Sequence, residues 1–168
     1  MWQSAIVMLI PAAALLITVV RETHAVDTSC RATPKLEIVS AIAPAAGAYP
    51  VWVVDGSFGH WLGPEALVKT VWILARDNLG DLTVVARRLD GDGRALFEAT
   101  AGADLSDRLF IADADMHEMI PGGIEPDALR KYSFRGSGVL YPSAGCWEFL
   151  VRYGESESRI VMKLTDQP

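Results

Sequence analysis

The chain has no excess of positive charge, which excludes one large class of partners. Its 168 residues include 15 Lys and Arg against 21 Asp and Glu, for a formal net charge of −6. A protein that binds the phosphate backbone needs a basic surface. We therefore expect no nucleic-acid partner.

Catalytic motifs are also missing. The sequence has no G-x-S-x-G, and only His60 and His117 follow the N-terminal segment. Neither histidine stands at a spacing typical of a catalytic triad. Gly136-Ser137-Gly138 is too short for a phosphate-binding loop. We predict a non-enzymatic protein without a cofactor.

The few histidines leave one weak candidate for a metal site. Met116, His117 and Met119 include ligand types that copper accepts outside the cytoplasm. Because no second histidine is nearby, the pattern favours a solvated loop in which a methionine packs into the core. Copper binding is the third functional hypothesis.

Cysteine is scarce too, with Cys30 and Cys146 as the whole complement. In an exported protein such a pair predicts a disulfide bond, and two unpaired buried thiols are the alternative. The bridge would close a loop of well over a hundred residues. Such a bridge stabilises a folded chain by about 4–5 kcal/mol if its effect is mainly on chain entropy.

A long uncharged run stands at the N-terminus. Ala5 to Val20 carries no charged side chain, and Thr23-His24-Ala25 is similar to a signal-peptidase site before Val26. A cleaved signal peptide is one interpretation, but Met1 to Ser4 lacks the usual basic residues. A membrane anchor is the other, because about 20 apolar residues cross a bilayer. We favour the anchor, and both interpretations place the rest of the chain outside the cytoplasm.

The clearest structural pattern is the stretch from Tyr141 to Leu164. Its first half alternates two sets of side chains: Trp147, Phe149, Val151 and Tyr153, and between them Cys146, Glu148, Leu150 and Arg152. Gly154-Glu155-Ser156 then turns the chain, and apolar residues alternate again at Ile160, Met162 and Leu164. A period of two with one apolar face predicts an antiparallel β-hairpin with one face on a core.

Short strands separated by Gly, Asp and Asn turns fill most of the remaining chain. We predict strands at 36–42, 51–54, 69–76, 82–89, 94–99 and 134–140. Their spacing is typical of an all-β sandwich or barrel. We expect a hairpin loop at 77–81 and a second turn at 90–93, after which 94–99 pairs back. We also expect irregular segments at 43–50 and 57–67, and helical turns at 64–67 and 126–131.

Residues 99–133 interrupt this rhythm with an acidic insertion. From Glu98 to Lys131 there are eight acidic residues against three basic ones. A connection of this length is usually functional or disordered. We predict that Asp113, Asp115 and Glu118 contact a basic face of a partner protein.

Aromatic side chains suggest a ligand-binding alternative. Most Trp and Tyr residues lie on apolar strands, where they are expected in the core. Trp61 follows Phe58-Gly59-His60 in a loop, so we expect it to be partly exposed and to contact a partner or ligand. An exported carbohydrate-binding module that stacks a sugar on Trp61 is the second functional hypothesis.

Three stretches carry a family resemblance: 71–74, 82–89, and G-S-G-V-L-Y-P-S-A-G-C-W-E from Gly136 to Glu148. In these stretches the chain resembles exported bacterial proteins of unknown function, which look like immunoglobulin-like sandwiches ending in a yPsaGCWe hairpin. The resemblance covers about Lys69 to Leu164 without the acidic insertion, and it implies an extracytoplasmic fold and no activity. Cys30 precedes the first strand, so the bridge would pin the tether to the sheet rather than join two core strands.

The sequence thus predicts an all-β protein, an immunoglobulin-like antiparallel β-sandwich of about seven to nine strands. The sandwich would span 35–168, after a hydrophobic helix over 1–25 and a tether over 26–34. The first functional hypothesis is a non-enzymatic interaction module. It would act as an accessory or stabilising subunit of a bacterial membrane protein complex. Its N-terminal helix would hold it at the inner membrane with the sandwich in the periplasm.

Overall fold

A computed structural model describes residues 30–40, 42–114 and 122–166. They form eleven strands and one helix: β1 (Lys35–Leu36), β2 (Ala45–Ala48), β3 (Val51–Asp55), β4 (His60–Trp61), β5 (Leu67–Ala75), β6 (Leu82–Arg88), β7 (Leu96–Glu98), β8 (Leu109–Ile111), α1 (Pro126–Lys131), β9 (Tyr132–Leu140), β10 (Gly145–Tyr153) and β11 (Ser156–Asp166). One sheet has the order β1-β2-β3-β5-β9-β7 and the other β4-β11-β10-β6-β8. The all-β, two-sheet sandwich predicted from the sequence is confirmed.

The two sheets enclose the main hydrophobic core. The predicted inward set of β10 is confirmed, because Trp147, Phe149, Val151 and Tyr153 are all buried there. Trp72 of β5 meets Phe149 edge to face across the sandwich, with ring centroids 6.1 Å apart. Each fully buried side chain of this size stabilises the fold by about 1.5–3 kcal/mol.

A second, smaller cluster covers the outer face of the six-stranded sheet. Trp52, Ile73 and Phe134 are buried there, beneath Ile38 and Leu129 among others. Both faces of β5 are therefore covered, which explains why its sequence is apolar on both faces.

The C-terminal hairpin and the disulfide are both confirmed. β10 and β11 pair from Gly145↔Leu164 to Tyr153↔Ser156. The bond between Cys30 and Cys146 joins Cα atoms 5.6 Å apart across 116 residues of sequence. Beyond the bridge, the Thr33 N–H donates to the Val161 carbonyl, and the Val161 N–H donates to the Thr33 hydroxyl, each at 2.8 Å. The tether is thus fixed to the five-stranded sheet.

The hairpin predicted at 77–81 is wrong, and the one predicted after the turn at 90–93 forms over a single bridge only, because the chain changes sheet at both places. Residues 77–81 do not close a hairpin: β5 pairs with β3 and β9, whereas β6 pairs with β10 and β8 in the other sheet. The segment at 94–99 meets β6 through a single bridge, Arg87↔Arg94. Its strand β7 then pairs with β9 in the six-stranded sheet. Crossing connections of this kind are common in sandwiches, and local turn signals do not distinguish them from hairpins.

The strand count and several boundaries also differ from the prediction. Within the described ranges there are eleven strands rather than seven to nine, because short strands form where none was expected: Ala45–Ala48, His60–Trp61 and Leu109–Ile111. At Gly47 a Cβ atom would lie 2.4 Å from the Val51 carbonyl oxygen, so only glycine allows this close approach of β2 to β3. The expected strand at 36–42 ends at Leu36, and 64–67 forms no helical turn.

The described parts of the acidic insertion belong to the sandwich. β8 pairs with β6 at the edge of the five-stranded sheet. The predicted helical turn at 126–131 is confirmed as α1, and its Ala128 and Leu129 pack on the outer cluster. The described parts of the insertion therefore extend the five-stranded sheet and cover part of the outer face of the six-stranded one.

Some predictions fall on residues outside the described ranges: the N-terminal helix over 1–25, Asp115, Met116, His117, Glu118 and Met119. No helix in the described ranges is long and apolar enough to cross a membrane.

Candidate functional site

Alternate side chains of the five-stranded sheet point away from the core and form a surface rich in arginine. The strand register places them in rows across β6, β10 and β11. Leu150 lies between Val85 and Arg159, and Glu148 lies opposite Arg87. We call this surface the arginine face and define it by Val85, Arg87, Arg108, Phe110, Glu148, Leu150, Arg152, Glu157 and Arg159.

The centre of the arginine face is apolar and open to solvent. Leu150 is 42% exposed and has Val85 as its cross-strand neighbour. Phe110 of β8 is 54% exposed and stands opposite Thr83. Nothing in the described part of the chain covers these side chains.

A buried carboxylate fixes two of the arginines. Glu148 is only 2% exposed, and its two carboxylate oxygens accept hydrogen bonds from the Nε–H groups of Arg87, at 2.5 Å, and of Arg159. A carboxylate is buried at low cost only when it is paired in this way. The arginine side chains remain 50% and 43% exposed. Glu148 thus holds two guanidinium groups in place on a surface that stays accessible.

The arginine face is electropositive on an acidic chain. Arg87, Arg108, Arg152 and Arg159 stand against two carboxylates, Glu148 and Glu157, whereas the whole chain carries −6. A shallow groove of about 610 Å³ runs between Arg108, Leu150 and Arg152. Positive charge around an apolar centre suits an acidic partner, because complementary charge steers the encounter and the apolar centre supplies buried area.

The fold has a counterpart of known structure. It is similar to the crystal structure of a "Putative Lipoprotein from Bacillus anthracis", with a TM-score of 0.53 and 12% sequence identity over 83% of this chain and 88% of that chain. At this identity the likeness shows the shared fold alone. No protein-family model and no curated protein matches the sequence.

The disulfide anchors the tether at one end of the same sheet. Cys146 points outward from β10, and its N–H donates to Asp90 Oδ1 at 3.1 Å. The Arg88 Nε–H donates to the same oxygen at 2.7 Å, and this hydrogen bond lowers the pKa of Asp90. Asp90 therefore stays ionised and holds the turn after β6 against the start of β10.

Some acidic residues of the insertion form ion pairs with arginines of the same chain. Asp107 pairs with Arg94 at 3.0 Å, and Asp127 pairs with Arg130. Asp113 is exposed, and its backbone N–H donates to Asp81 Oδ1 at 3.0 Å. Of the three acidic residues predicted to contact a partner, Asp113 alone lies in the described ranges.

Trp61 is held by the core as well as by its loop. It is partly buried in β4, packs against the inter-sheet core, and donates its indole N–H to the Tyr141 carbonyl at 3.0 Å. β4 and β8 lie at opposite edges of the five-stranded sheet. The fold therefore does not bring Trp61 and Asp113 into one site.

Sequence reasoning missed the arginine face as a site. Its one local signal was the alternation of Glu148, Leu150 and Arg152 opposite the apolar set of β10. That alternation predicted a mixed outer face, but it did not predict that Arg87, Arg108 and Arg159 lie beside it. For metals, the described part of the chain contains no group of three or more His, Cys, Asp or Glu side chains that suits an ion.

Proposed function

We propose that the protein is a non-enzymatic extracytoplasmic interaction module, an accessory subunit of a bacterial membrane protein complex. It docks through the arginine face onto an acidic surface of another subunit. The observation that carries the proposal is the exposed Leu150, surrounded by arginines of which Arg87 and Arg159 are fixed by Glu148. Arginine and large apolar side chains are typical of the residues that dominate binding energy at interfaces.

Placement outside the cytoplasm is supported by the disulfide. Bonds of this kind persist in oxidising compartments and are rare in the cytosol. The Bacillus anthracis protein of similar fold carries a lipoprotein description, which agrees with such a compartment. In this proposal the uncharged N-terminal run over 1–25 holds the module at the inner membrane, with the sandwich in the periplasm.

We also propose an immunoglobulin-like arrangement and kinship with the exported proteins that share the yPsaGCWe pattern. What supports it is the order β3-β5-β9-β7 in one sheet and β6-β10-β11 in the other. This corresponds to strands ABED and CFG of immunoglobulin domains. The conserved immunoglobulin bridge joins strands B and F, whereas here Cys30 lies before β1. Cys146 lies in β10, which corresponds to strand F, but its side chain leaves the outer face of the sheet instead of entering the core.

The acidic residues Asp113, Asp115 and Glu118 are proposed as a second contact, facing a basic region of the partner complex. The arginine face requires an acidic partner surface, whereas the acidic residues require a basic one. Charge-changing variants of each therefore test the two contacts separately.

The test is co-purification of the native protein from membranes in mild detergent, with the stoichiometry of its companions measured. The double variant Arg108→Glu/Arg152→Glu reverses two exposed charges of the arginine face without touching the Glu148 pairs. We expect it to lose its companions by at least about tenfold, since several like-charge contacts replace attractive ones. The matched control Lys35→Glu/Lys69→Glu makes the same charge change on exposed residues of the other sheet and should retain them.

Equal retention by both double variants contradicts docking through the arginine face. If only the triple variant Asp113→Ser/Asp115→Ser/Glu118→Ser loses its co-purifying proteins, the contact belongs to the acidic insertion. If the purified protein binds anionic phospholipid vesicles and no protein co-purifies in a fixed ratio, the partner is a lipid surface and not a protein.

A further inference from the structure

One loop of the sandwich exposes large apolar side chains beside the point where the tether is attached. Residues 57–63, which follow β3 and include β4, have the sequence S-F-G-H-W-L-G, with no Asp, Glu, Lys or Arg. Phe58 is 68% exposed and Leu62 is 48% exposed. We call this stretch the apolar loop. Exposed apolar patches are typical of surfaces that contact another protein or a membrane.

The backbone at Phe58 has a conformation that its side chain disfavours. Its φ of 55° lies in the left-handed region, which bulky residues rarely adopt and which Gly or Asn adopts at lower cost. The buried carboxylate of Asp55 fixes the turn, because it accepts hydrogen bonds from the Ser57 hydroxyl at 2.5 Å and from the Ser57 and Gly59 N–H groups at 3.2 Å each. The turn thus presents an aromatic ring to solvent at a strained position, and such positions are concentrated at functional sites.

The second half of the apolar loop is fixed to the end of the five-stranded sheet. β4 pairs in parallel with the last residues of β11, His60 with Thr165 and Trp61 with Asp166. The Trp61 indole N–H donates to the Tyr141 carbonyl at 3.0 Å. A loop held in this way loses little entropy when its exposed side chains are covered.

The apolar loop and the tether lie at the same end of the sandwich. Cys146, which is bonded to Cys30, stands opposite Lys163 in the ladder between β10 and β11. A Cβ atom on Gly59 would lie 3.5 Å from the Lys163 carbonyl oxygen, and the Thr165 N–H donates to the Gly59 carbonyl at 2.9 Å. Both features therefore lie beside the last residues of β11, and we call this the tether end.

The length of the tether favours the tether end as the part of the sandwich nearest to a membrane anchor. The uncharged run ends at Val20, ten residues before Cys30. Ten residues span at most about 36 Å when fully extended. β11, with eleven residues, is about 37 Å long. The sandwich could stand on its far end only with a fully extended tether, and every shorter path favours the tether end.

We propose that the apolar loop contacts the lipid surface of the membrane that holds the N-terminal run, an inference that rests on the anchorage proposed above. Phe58 and Leu62 enter the interfacial layer of the bilayer, and the loop has no charged side chain to desolvate there. The contact needs little affinity of its own, because the anchor keeps the loop at a high effective concentration beside the lipid. In this orientation the arginine face is directed sideways, toward a neighbouring subunit.

The test uses the full-length protein in phosphatidylcholine vesicles, with a nitroxide spin label on Phe58→Cys. The matched control carries the label on Leu79→Cys, a comparably exposed apolar position, 66% against 68%. Leu79 lies at the far end of the sandwich, because a Cβ atom on Gly154, in the turn between β10 and β11, would lie 2.4 Å from its carbonyl oxygen.

Power saturation measures collisions of each label with oxygen, which is concentrated in lipid, and with a water-soluble nickel chelate. We expect the label at position 58 to collide more with oxygen and less with nickel than the label at position 79. Because the apolar loop is uncharged, the same difference is expected when phosphatidylglycerol is added to the vesicles.

A second reporter tests whether Phe58 and Leu62 cause the contact. Asp92→Cys places the label on an exposed residue of the turn after β6, which the hydrogen bond from the Cys146 N–H to Asp90 holds at the tether end. Adding Phe58→Ser/Leu62→Ser should reduce the ratio of membrane-bound to free sandwich by at least about tenfold, because two large apolar side chains lose their burial. Nickel collisions at position 92 should then increase, whereas Leu79→Ser, the control, should leave them unchanged.

Four outcomes would overturn the proposal. Equal nickel collisions at positions 58 and 79, in protein that floats with the vesicles, would exclude the lipid contact and leave the anchorage intact. Protein that does not float with the vesicles would contradict both. A contact that requires phosphatidylglycerol would belong to charged residues, and protection of position 58 from both oxygen and nickel would show that a second copy of the chain covers the loop. Docking through the arginine face is tested separately, by the co-purification described above.

Discussion

Cys146 and Trp147 are neighbours in β10, and their side chains leave the strand on opposite sides of the sheet. Cys146 bonds to Cys30 on the outside. Trp147 is fully buried inside, where it donates its indole N–H to the Ser143 carbonyl at 3.2 Å and packs against Tyr141 with centroids 5.4 Å apart. One dipeptide thus joins the tether to the sandwich and helps to fill the core.

Removing the bridge is expected to destabilise the fold without changing it. The variant Cys30→Ser/Cys146→Ser should lose about 4–5 kcal/mol of unfolding free energy, because the loop of 116 residues is no longer closed in the unfolded chain. Denaturant titration of the variant and of the oxidised parent measures this difference. The reduced parent should match the variant, and a parent that is equally stable when oxidised and reduced would contradict the expectation.

Replacing the carboxylate of Glu148 should lower the unfolding free energy. Glu148→Gln leaves Arg87 and Arg159 without the buried carboxylate that both contact. Since both arginines are half exposed and regain water, we expect a loss of about 2 kcal/mol, below the range for a fully buried pair. Denaturant unfolding of Glu148→Gln measures this loss, and Glu157→Gln, on the same face, is the control. Glu157 is exposed, so its substitution should change stability by less than about 0.5 kcal/mol.

Two buried tyrosines should respond oppositely to loss of the hydroxyl. The Tyr141 hydroxyl is buried without a hydrogen-bond partner among the described residues, whereas the Tyr153 hydroxyl donates to the Ala75 carbonyl at 3.3 Å. An unsatisfied buried donor is costly, so Tyr141→Phe should stabilise the protein by about 1 kcal/mol and Tyr153→Phe should destabilise it by a similar amount. Thermal unfolding of both variants is the measurement. A destabilised Tyr141→Phe would indicate that the hydroxyl has a partner, such as a bound water.

The stability of the fold at alkaline pH should depend on Tyr141. Burial, and secondarily the nearby Asp55 charge, raise the pKa of Tyr141 well above its ordinary value near 10. Above pH 10 the unfolded chain releases this proton while the folded chain keeps it, so the contribution of Tyr141 is complete below pH 10 and is lost as pH rises further. Unfolding free energies at increasing pH should fall more steeply for the parent than for Tyr141→Phe. Parallel curves would exclude this linkage.

The sequence predicted what depends on local alternation. The period of two from Cys146 to Tyr153 identified a half-buried strand, and the hairpin and its core set followed from it. The disulfide was predictable because an exported chain with two cysteines has only one possible intramolecular pair. These features need no knowledge of distant neighbours.

The rest depends on contacts between distant segments. β2 is built from Ala45, Ala46, Gly47 and Ala48, which have little strand propensity, and it forms because β3 accepts a very close neighbour. The arginine face was not predictable as a site, because Arg87 and Arg159 are 72 positions apart and only the sheet brings both to Glu148. Tyr49 meets Asp77, and Trp52 meets Tyr132, for the same reason.

The pairing of Thr33 with Val161 has a consequence for self-association. β11 has eleven residues, and beyond β10 its backbone is met by only two short pieces of the described chain, β4 at Thr165 and Asp166 and the tether at Thr33. The edge of a long strand is a template for strand addition by a second molecule. By holding the tether in place, the disulfide also shields this border of the sheet. Reduction would therefore promote dimers and aggregates before it unfolds the sandwich.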